Sequence, residues 1–147
     1  MKEIITKNFK ETQRLGEELA LRMEGGEVIC LEGELGAGKT TFTQGLLKGL
    51  GAEGPYTSPT FLIMKQYDLK TKNHPEYSGL KAAYHIDAYR VGADDILNLG
   101  WEEMIADPKN IIIVEWPERI KEILPENVLK ISFESLDEDR RKITFSV

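Results

Sequence analysis

Hydrophobic and polar residues alternate near the C-terminal end of the sequence, and this pattern predicts two strands. Apolar residues recur at every second position within 128–133 and within 142–147, which is typical of strands that bury one face. The acidic turn at 137–139 would connect them, so an antiparallel pair is expected. The residues expected to face inward are Leu129, Ile131, Phe133, Ile143, Phe145 and Val147.

Four other apolar stretches predict the rest of a sheet. The run at 110–114 is continuous and rich in β-branched residues, which is typical of a strand buried on both faces. A second run lies within a predicted strand at 27–32 and contains Cys30, which is expected to be a buried core residue. Strands are also expected at 61–67 and 81–87, separated by a turn-rich, hairpin-like excursion at 68–79.

Apolar residues at helical spacing predict the helices. Leu15, Leu19 and Met23 recur every four residues, which favours an amphipathic helix over 11–23 with Thr12 as its cap. A second helix is expected to begin near Lys39 and to end at about Leu50. Two shorter helical segments are expected, one over 93–106 with an interruption at Gly100 and one from Pro117 to about Leu124.

A glycine-rich loop lies between the strand at 27–32 and the helix that begins near Lys39. Residues 33–40 read Gly-Glu-Leu-Gly-Ala-Gly-Lys-Thr, which matches the phosphate-loop pattern G-x-x-x-x-G-K-[ST] in its required strand–loop–helix context. Glycines allow backbone N–H groups to approach phosphate oxygens, Lys39 would reach the β- and γ-phosphates, and the Thr40 hydroxyl would ligate Mg²⁺. An ordinary glycine-rich turn is the alternative. The loop residues are Gly33, Glu34, Leu35, Gly36, Ala37, Gly38, Lys39 and Thr40.

Together these elements predict an α/β fold with a P-loop NTPase-like three-layer sandwich. We expect a mixed, mostly parallel sheet with helices on both faces, an antiparallel pair at the C-terminus, and nucleotide at the C-terminal ends of the strands. At 147 residues one domain, spanning 1–147, is the simplest expectation.

Composition and charge limit the classes of function that the sequence allows. The sequence has 41% hydrophobic and 30% charged residues and one cysteine, its N-terminus is too charged for a signal peptide, and a cytoplasmic location is expected. The net charge is −6, and Arg140, Arg141 and Lys142 form the one tight basic cluster. This balance argues against a stand-alone nucleic-acid binder, so a partner would hold any RNA.

Two carboxylates compete for the Mg²⁺ that a phosphate loop requires. Glu115 follows the apolar run at 110–114, and Asp87 is the last residue of the predicted strand at 81–87. A carboxylate at the end of an apolar strand is costly unless a cation compensates it, and Mg²⁺ would do so. Each residue has the alternative of lying in water or capping the next helix. Which acid activates water stays open.

Three other candidate site residues could also have a purely structural role. Thr60, within Ser58-Pro59-Thr60, lies where switch proteins sense the γ-phosphate, but a proline turn explains it as well. Arg90 could act as an arginine finger in cis or be exposed. Trp116 could cover the site or pack in the core. The sequence contains neither an Asn-Lys-x-Asp box nor an Asp-x-x-Gly switch, which favours ATP over GTP.

Four segments together resemble one family. The sequence is similar, over essentially its whole length, to the bacterial TsaE proteins, also called YjeE. The segments that carry the resemblance are Gly-Glu-Leu-Gly-Ala-Gly-Lys-Thr-Thr at 33–41, Ser-Pro-Thr-Phe at 58–61, Tyr-His-Ile-Asp-Ala-Tyr-Arg at 84–90 and Val-Glu-Trp-Pro-Glu at 114–118.

The resemblance implies a small cytoplasmic, Mg²⁺-dependent ATPase that is needed to make N6-threonylcarbamoyladenosine in tRNA. Such proteins bind the TsaD–TsaB pair, in which TsaD modifies the tRNA, and TsaE hydrolyses ATP to reset the complex. Hydrolysis is expected to be slow alone and faster with that pair. By position, Lys39 would contact phosphate, Thr40 and Glu115 would hold Mg²⁺, and Asp87 would activate water or support the metal. Further nucleotide contacts would come from Phe9, Thr41, Thr60 and Trp116.

Two other functions stay open. The chain could be a nucleotide-gated adaptor, in which ATP shapes a docking surface and hydrolysis is incidental. A small-molecule kinase is the weaker alternative, because such enzymes usually carry an arginine-rich lid and none is present between residues 91 and 118.

Overall fold

Seven strands form one sheet in the computed structural model, which describes residues 1–57, 59, 62–69 and 79–146. In chain order they are β1 (Lys2–Thr6), β2 (Val28–Glu32), β3 (Met64–Asp68), β4 (Ala82–Asp87), β5 (Asn110–Glu115), β6 (Leu129–Ser135) and β7 (Arg141–Ser146). Across the sheet the order is β1-β7-β6-β2-β5-β4-β3. The four central strands are parallel, and β1, β7 and β3 run antiparallel to their neighbours.

This topology confirms the predicted mixed sheet and the antiparallel pair at its C-terminal end. Strand β1 at the edge was not predicted, because its apolar residues Ile4 and Ile5 are adjacent and do not alternate. The predicted strand at 61–67 begins at Met64 instead, and Phe61 lies outside the described residues. Most of the predicted excursion at 68–79 also lies outside them.

Helices cover both faces of the sheet, as predicted. The helices are α1 (Phe9–Ala20), α2 (Lys39–Gly49), α3 (Ala93–Leu97) and α4 (Trp101–Ala106), followed by a 3₁₀ segment at Pro117–Ile123. Side chains of α1 and α2 pack with Ile29, Ile111 and Ile113 on one face. Side chains of α3 and α4 pack with Cys30 and Ile112 on the other. The molecule is therefore a three-layer α/β sandwich.

The start of α1 corrects one prediction. Asn8 is the N-cap, and its side chain accepts a hydrogen bond from the backbone N–H of Glu11 at 2.9 Å. Thr12, predicted as the cap, lies one turn inside the helix, where it is buried and its hydroxyl is 2.7 Å from the hydroxyl of Thr6. Because Asn8 already satisfies the helix terminus, Thr12 instead ties α1 to β1.

The predicted core is confirmed where the structure describes it. All six residues of β5 are buried, and so are Ile131, Phe133 and Ile143, while Leu129 and Phe145 are partly buried against the same core. Val147 lies outside the described residues. Cys30 is buried, and desolvation raises the pKa of its thiol to about 11.

Helices α1 and α2 pack at close range, which brings the N-terminus of α1 to the phosphate loop. A Cβ on Gly45 of α2 would overlap the carbonyl oxygen of Gln13 on α1, so glycine is required for this approach. Within the part of the chain that the structure describes, no helix has the length and apolarity needed to cross a membrane.

Candidate functional site

A cleft of about 880 Å³ lies at the carboxyl ends of β2, β4 and β5. Helix α1, the start of α2 and the turn between β6 and β7 complete its walls. Its lining consists of Phe9, Thr12, Leu35, Gly36, Gly38, Lys39, Thr40, Thr41, Pro59, Leu62, Ile63, Asp87, Tyr89, Arg90, Val91, Glu115, Trp116, Glu138, Asp139 and Arg141. Ligands of α/β proteins bind at this edge of the sheet.

The phosphate loop joins β2 to α2 and leaves the N-terminus of α2 open toward the cleft. Gly38 precedes the helix with φ +107°, a left-handed conformation that favours glycine. No side chain caps this helix terminus. The first N–H groups of a helix lack partners within it, so they are available for an anion.

The ammonium group of Lys39 is held inside the loop. Only 5% of the residue is exposed, and Nζ donates a hydrogen bond to the carbonyl oxygen of Gly33 at 2.6 Å. Nζ also lies 4.3 Å from the centroid of a Trp116 ring, within the range of a cation–π contact. A positive charge is therefore fixed at the wall of the cleft.

Glu115 ends β5 as a buried carboxylate, with 6% of the residue exposed. Its Oε2 is 2.7 Å from Nε2 of His85 on β4, and His85 is also buried. An ionised carboxylate only accepts hydrogen bonds, so Nε2–H is the donor. Within the described residues, Nδ1 of His85 has no hydrogen-bond partner. The pair places a fixed carboxylate beside the loop.

Asp87 ends β4 directly beside Glu115 in the strand register. It is half-buried, and its Oδ1 accepts a hydrogen bond from the backbone N–H of Tyr89 at 3.0 Å. Both carboxylates line the cleft. The two acids that the sequence offered as candidates therefore lie side by side.

Trp116 follows Glu115 in a left-handed conformation with φ +60°, and no other non-glycine residue of the described chain has a positive φ. Its indole contacts the Tyr89 ring, with centroids 4.9 Å apart. It both lines the cleft and packs against the core, so the two alternatives drawn from the sequence each describe part of its environment.

Most of the predicted site residues come together here. Ten of them line the cleft, whereas Glu34 and Ala37 belong to the loop without lining it, and Thr60 lies outside the described residues. Arg90 lines the cleft and is exposed. The roles assigned to these residues stay predictions. The ten are Phe9, Leu35, Gly36, Gly38, Lys39, Thr40, Thr41, Asp87, Glu115 and Trp116.

The hairpin between β6 and β7 contributes to the cleft, which was not predicted from the sequence. Glu138, Asp139 and Arg141 line the cleft, and Nη2 of Arg141 donates to the carbonyl oxygen of Gly36 at 3.2 Å. The basic cluster that contains Arg141 was visible in the sequence, but nothing there links it to a loop 105 residues away. Only the sheet order brings the two together.

The oxygen ligands in the cleft suit a magnesium ion shared with a phosphate. In the described chain, no group of three or more histidine, cysteine or carboxylate side chains could hold a metal by itself. Mg²⁺ is usually bound by one or two protein oxygens together with phosphates and water. The exposed Thr40 and the Glu115 carboxylate, which line the same cleft, fit that requirement.

Comparisons with known proteins show which family this chain is similar to. The family model described as "Threonylcarbamoyl adenosine biosynthesis protein TsaE" matches residues 6–143. The tRNA threonylcarbamoyladenosine biosynthesis protein TsaE of Bacillus subtilis is 38% identical over 141 residues, 96% of this chain and 82% of that protein. The protein of the same name from Aquifex aeolicus is 38% identical over 145 residues, 97% and 94% of the two chains.

A solved structure shows the same architecture. The crystal structure of YdiB from Bacillus subtilis superposes with a TM-score of 0.74 at 33% identity, covering 98% of this chain and 83% of that one. The family match spans most of the chain and includes the phosphate loop and both strand-end carboxylates. The chain therefore belongs to the TsaE family of threonylcarbamoyl adenosine biosynthesis proteins.

Proposed function

We propose that this chain is a Mg²⁺-dependent ATPase of tRNA threonylcarbamoyladenosine biosynthesis that acts on TsaD and TsaB homologues. Family membership supports the pathway. The observation that carries the ATPase assignment is that Lys39 and Thr40 in the first turn of α2 and Glu115 at the end of β5 line one cleft. Positioned charge of this kind is what phosphoryl transfer requires.

The loop and α2 would bind the triphosphate. The uncapped N-terminus of α2 offers N–H donors, and Lys39 offers an ammonium group at the same wall. Thr40 and Glu115 would hold Mg²⁺, which when bound neutralises charge on the phosphate oxygens. His85 would keep the Glu115 carboxylate in one orientation through its 2.7 Å contact.

Asp87 is the residue that we assign to the attacking water. Its carboxylate is more accessible than that of Glu115 and faces the same cleft. The hydrogen bond from the Tyr89 backbone leaves one carboxylate oxygen available as a proton acceptor. ATP is the proposed nucleotide because the sequence lacks both guanine-specific motifs.

The proposed partners follow from the resemblance and from charge. A net charge of −6 is unfavourable for direct binding of tRNA, so the TsaD and TsaB homologues would bring the tRNA. Because the cleft is open, a partner that covers it would exclude water and complete the site. Slow hydrolysis alone and faster hydrolysis with the partners are therefore expected.

Calorimetry with Mg·ATP tests the binding step. Lys39→Ala should weaken binding by at least about 100-fold, because a charged contact to phosphate is lost. Lys48→Ala is the matched control, since Lys48 lies in the last turn of the same helix and pairs with Glu17 at 3.3 Å on the surface. Absence of any binding heat for the unmodified chain would disprove the proposed function.

Reconstituted tRNA modification tests the role of hydrolysis. TsaD and TsaB homologues, tRNA and this chain would be supplied with ATP or with a non-hydrolysable analogue. The proposal is supported if ATP sustains multiple rounds of modification and the analogue does not. Equal support by the analogue would favour the adaptor alternative, and phosphate appearing on an added nucleoside would favour a kinase.

A further inference from the structure

We propose that the hairpin between β6 and β7 sets the shape of the phosphate loop through Arg141, which acts as a positioning residue for nucleotide binding. This inference rests on the proposed function, because it concerns the same cleft. Arg141 lies at the start of β7, on the opposite side of the loop from the strand-end carboxylates. Its guanidinium contacts the loop at Gly36.

The contact with the loop is specific. Nη2 of Arg141 donates to the carbonyl oxygen of Gly36 at 3.2 Å, and the same peptide unit is held on its other side by a 3.1 Å bond from the Ala37 N–H to the Glu34 carbonyl. Apart from Gly36 and its two neighbours in the chain, no heavy atom of the described residues lies within 4 Å of where a Cβ of Gly36 would be. The loop tip is therefore open to solvent except where these two bonds fix it.

Arg141 also lies close to Gly38, two residues further along the loop. A Cβ on Gly38 would be 3.6 Å from Cγ of Arg141 and 3.6 Å from Cγ2 of Thr12. The aliphatic part of Arg141 thus packs beside the residue that precedes α2, while its guanidinium holds Gly36. Arg141 thus bonds Gly36 and lies beside Gly38, two of the loop glycines with a positive φ.

The guanidinium is itself held by the hairpin. Nη1 donates to the carbonyl oxygens of Asp137, Arg140 and Glu138, at 2.8, 2.9 and 3.3 Å. The backbone of Arg141 pairs with Thr6 on β1 and with Ser135 on β6. With strands on both sides and three carbonyls around Nη1, Arg141 has little freedom to leave the loop.

The hairpin turn is closed by the Asp137 carboxylate. Oδ1 accepts from the backbone N–H groups of Arg140 and Asp139, at 2.8 and 3.0 Å, and Oδ2 accepts from Nε of Arg140 at 2.7 Å. These bonds lower the pKa of Asp137 to about 2. The turn thus stays closed at neutral pH, and a chain of contacts runs from Asp137 through Arg141 to Gly36.

A loop held in one shape before binding loses less conformational freedom when the phosphates arrive. Removing Arg141 should therefore weaken binding while leaving the phosphate contacts of Lys39 and α2 in place. A positioning role also predicts equal losses for ATP and for tripolyphosphate, because both use the loop. A direct contact between Arg141 and the nucleoside would weaken ATP binding alone.

The test measures the affinities of the full chain for Mg·ATP and Mg·tripolyphosphate by calorimetry, together with thermal stability. Arg141→Ala should weaken both about tenfold, the typical effect of losing a hydrogen bond from a charged group. Arg141→Lys keeps the positive charge but lacks the several N–H donors of the guanidinium, so it should lose part of the affinity. It replaces the alanine variant in this test if that variant does not fold. Lys142→Ala, the adjacent charge removal, should change affinity by less than about twofold.

A second variant tests the chain of contacts. Asp137→Ala should weaken binding by about threefold because it loosens the turn, and it should add nothing in an Arg141→Ala background, since both act through one contact. Unchanged affinity in folded Arg141 variants would overturn the inference, as would additive losses or a loss for ATP alone. If the unmodified chain bound neither ligand, the proposed function and this inference would both fail.

Discussion

Two strand ends that lie side by side in the sheet hold their carboxylates in opposite ways. Asp87 and Glu115 are register partners on the parallel strands β4 and β5. Glu115 is 6% exposed and contacts the buried His85, whereas Asp87 is half-buried and accepts only a backbone N–H among its described contacts. Asp87 and Glu115 occupy the same position at the ends of their strands, but their side chains differ in burial and in hydrogen-bond partners.

The difference in burial bears on the roles of Glu115 and Asp87 that the sequence left open. A buried carboxylate is stable only with compensating groups, and one imidazole N–H leaves room for a cation as a further partner. An accessible carboxylate exchanges protons and water readily, which suits a base. Burial therefore favours Glu115 as the magnesium ligand and Asp87 as the residue that positions water.

The largest expected effect is that of Glu115→Gln. Loss of the metal-binding charge should lower ATP turnover by about 1000-fold, because metal ions supply several kcal/mol of transition-state stabilisation. Magnesium should then no longer strengthen nucleotide binding, while binding without magnesium persists. Steady-state hydrolysis and calorimetry at varied Mg²⁺ concentration measure both quantities.

Glutamine keeps an oxygen that can accept from His85, so the variant tests charge rather than packing. Its urea unfolding curve provides the control for stability. Turnover close to that of the unmodified chain would remove Glu115 as the metal ligand and leave Asp87 as the candidate.

Asp87→Asn should have the second-largest effect. Loss of a proton acceptor should lower turnover by about 100-fold, the lower end of general-base contributions. Magnesium-dependent nucleotide affinity should change by less than about twofold, since this residue is not the proposed ligand. If instead the Asn variant loses its response to Mg²⁺, the two roles must be exchanged.

The local parts of this site could be predicted from the sequence. The phosphate loop is one continuous segment, and both acids directly follow apolar strands, so their chemistry depends on neighbours in the chain. The parallel order of β2, β5 and β4 then brings them to one edge. The parts of the cleft that could be predicted are thus a continuous loop and the ends of two apolar strands.

The remaining parts depend on pairing between distant strands. The contact of His85 with Glu115 follows from the register of β4 and β5, and that of Arg141 with Gly36 follows from the order β1-β7-β6-β2. Neither register nor order is determined by the local pattern of apolar residues. The edge strand β1 was missed for a related reason, since its stability comes from pairing with β7.

The comparison of the two carboxylates also predicts a difference in stability. His85→Ala removes the N–H donor from a buried carboxylate and should lower the free energy of unfolding by about 2 kcal/mol. Asp87→Ala should lower it by only about 0.5 kcal/mol, because water replaces the lost contact. Urea unfolding of both variants and of a His85→Ala/Glu115→Ala double variant measures this, and the double variant should lose less than the sum. Equal losses at the two positions would contradict the difference in environment.

The smallest expected effect concerns Asp137. Unlike Glu115, this carboxylate is exposed, so its three hydrogen bonds show the effect of hydrogen bonding without burial. The backbone N–H of Arg140, its side chain and the backbone N–H of Asp139 lower the pKa of Asp137 from 3.8 to about 2. This stabilisation is therefore present above the ordinary pKa and lost as pH falls through about 2. Arg140→Ala removes only the side-chain bond, so the pKa should rise toward 3.8 without reaching it, and the loss of stability on acidification should be smaller and complete at a higher pH. An NMR titration of the Asp137 carboxyl group measures the shift, with Lys142→Ala as control. An unchanged pKa in Arg140→Ala would mean that the two backbone donors alone hold this carboxylate.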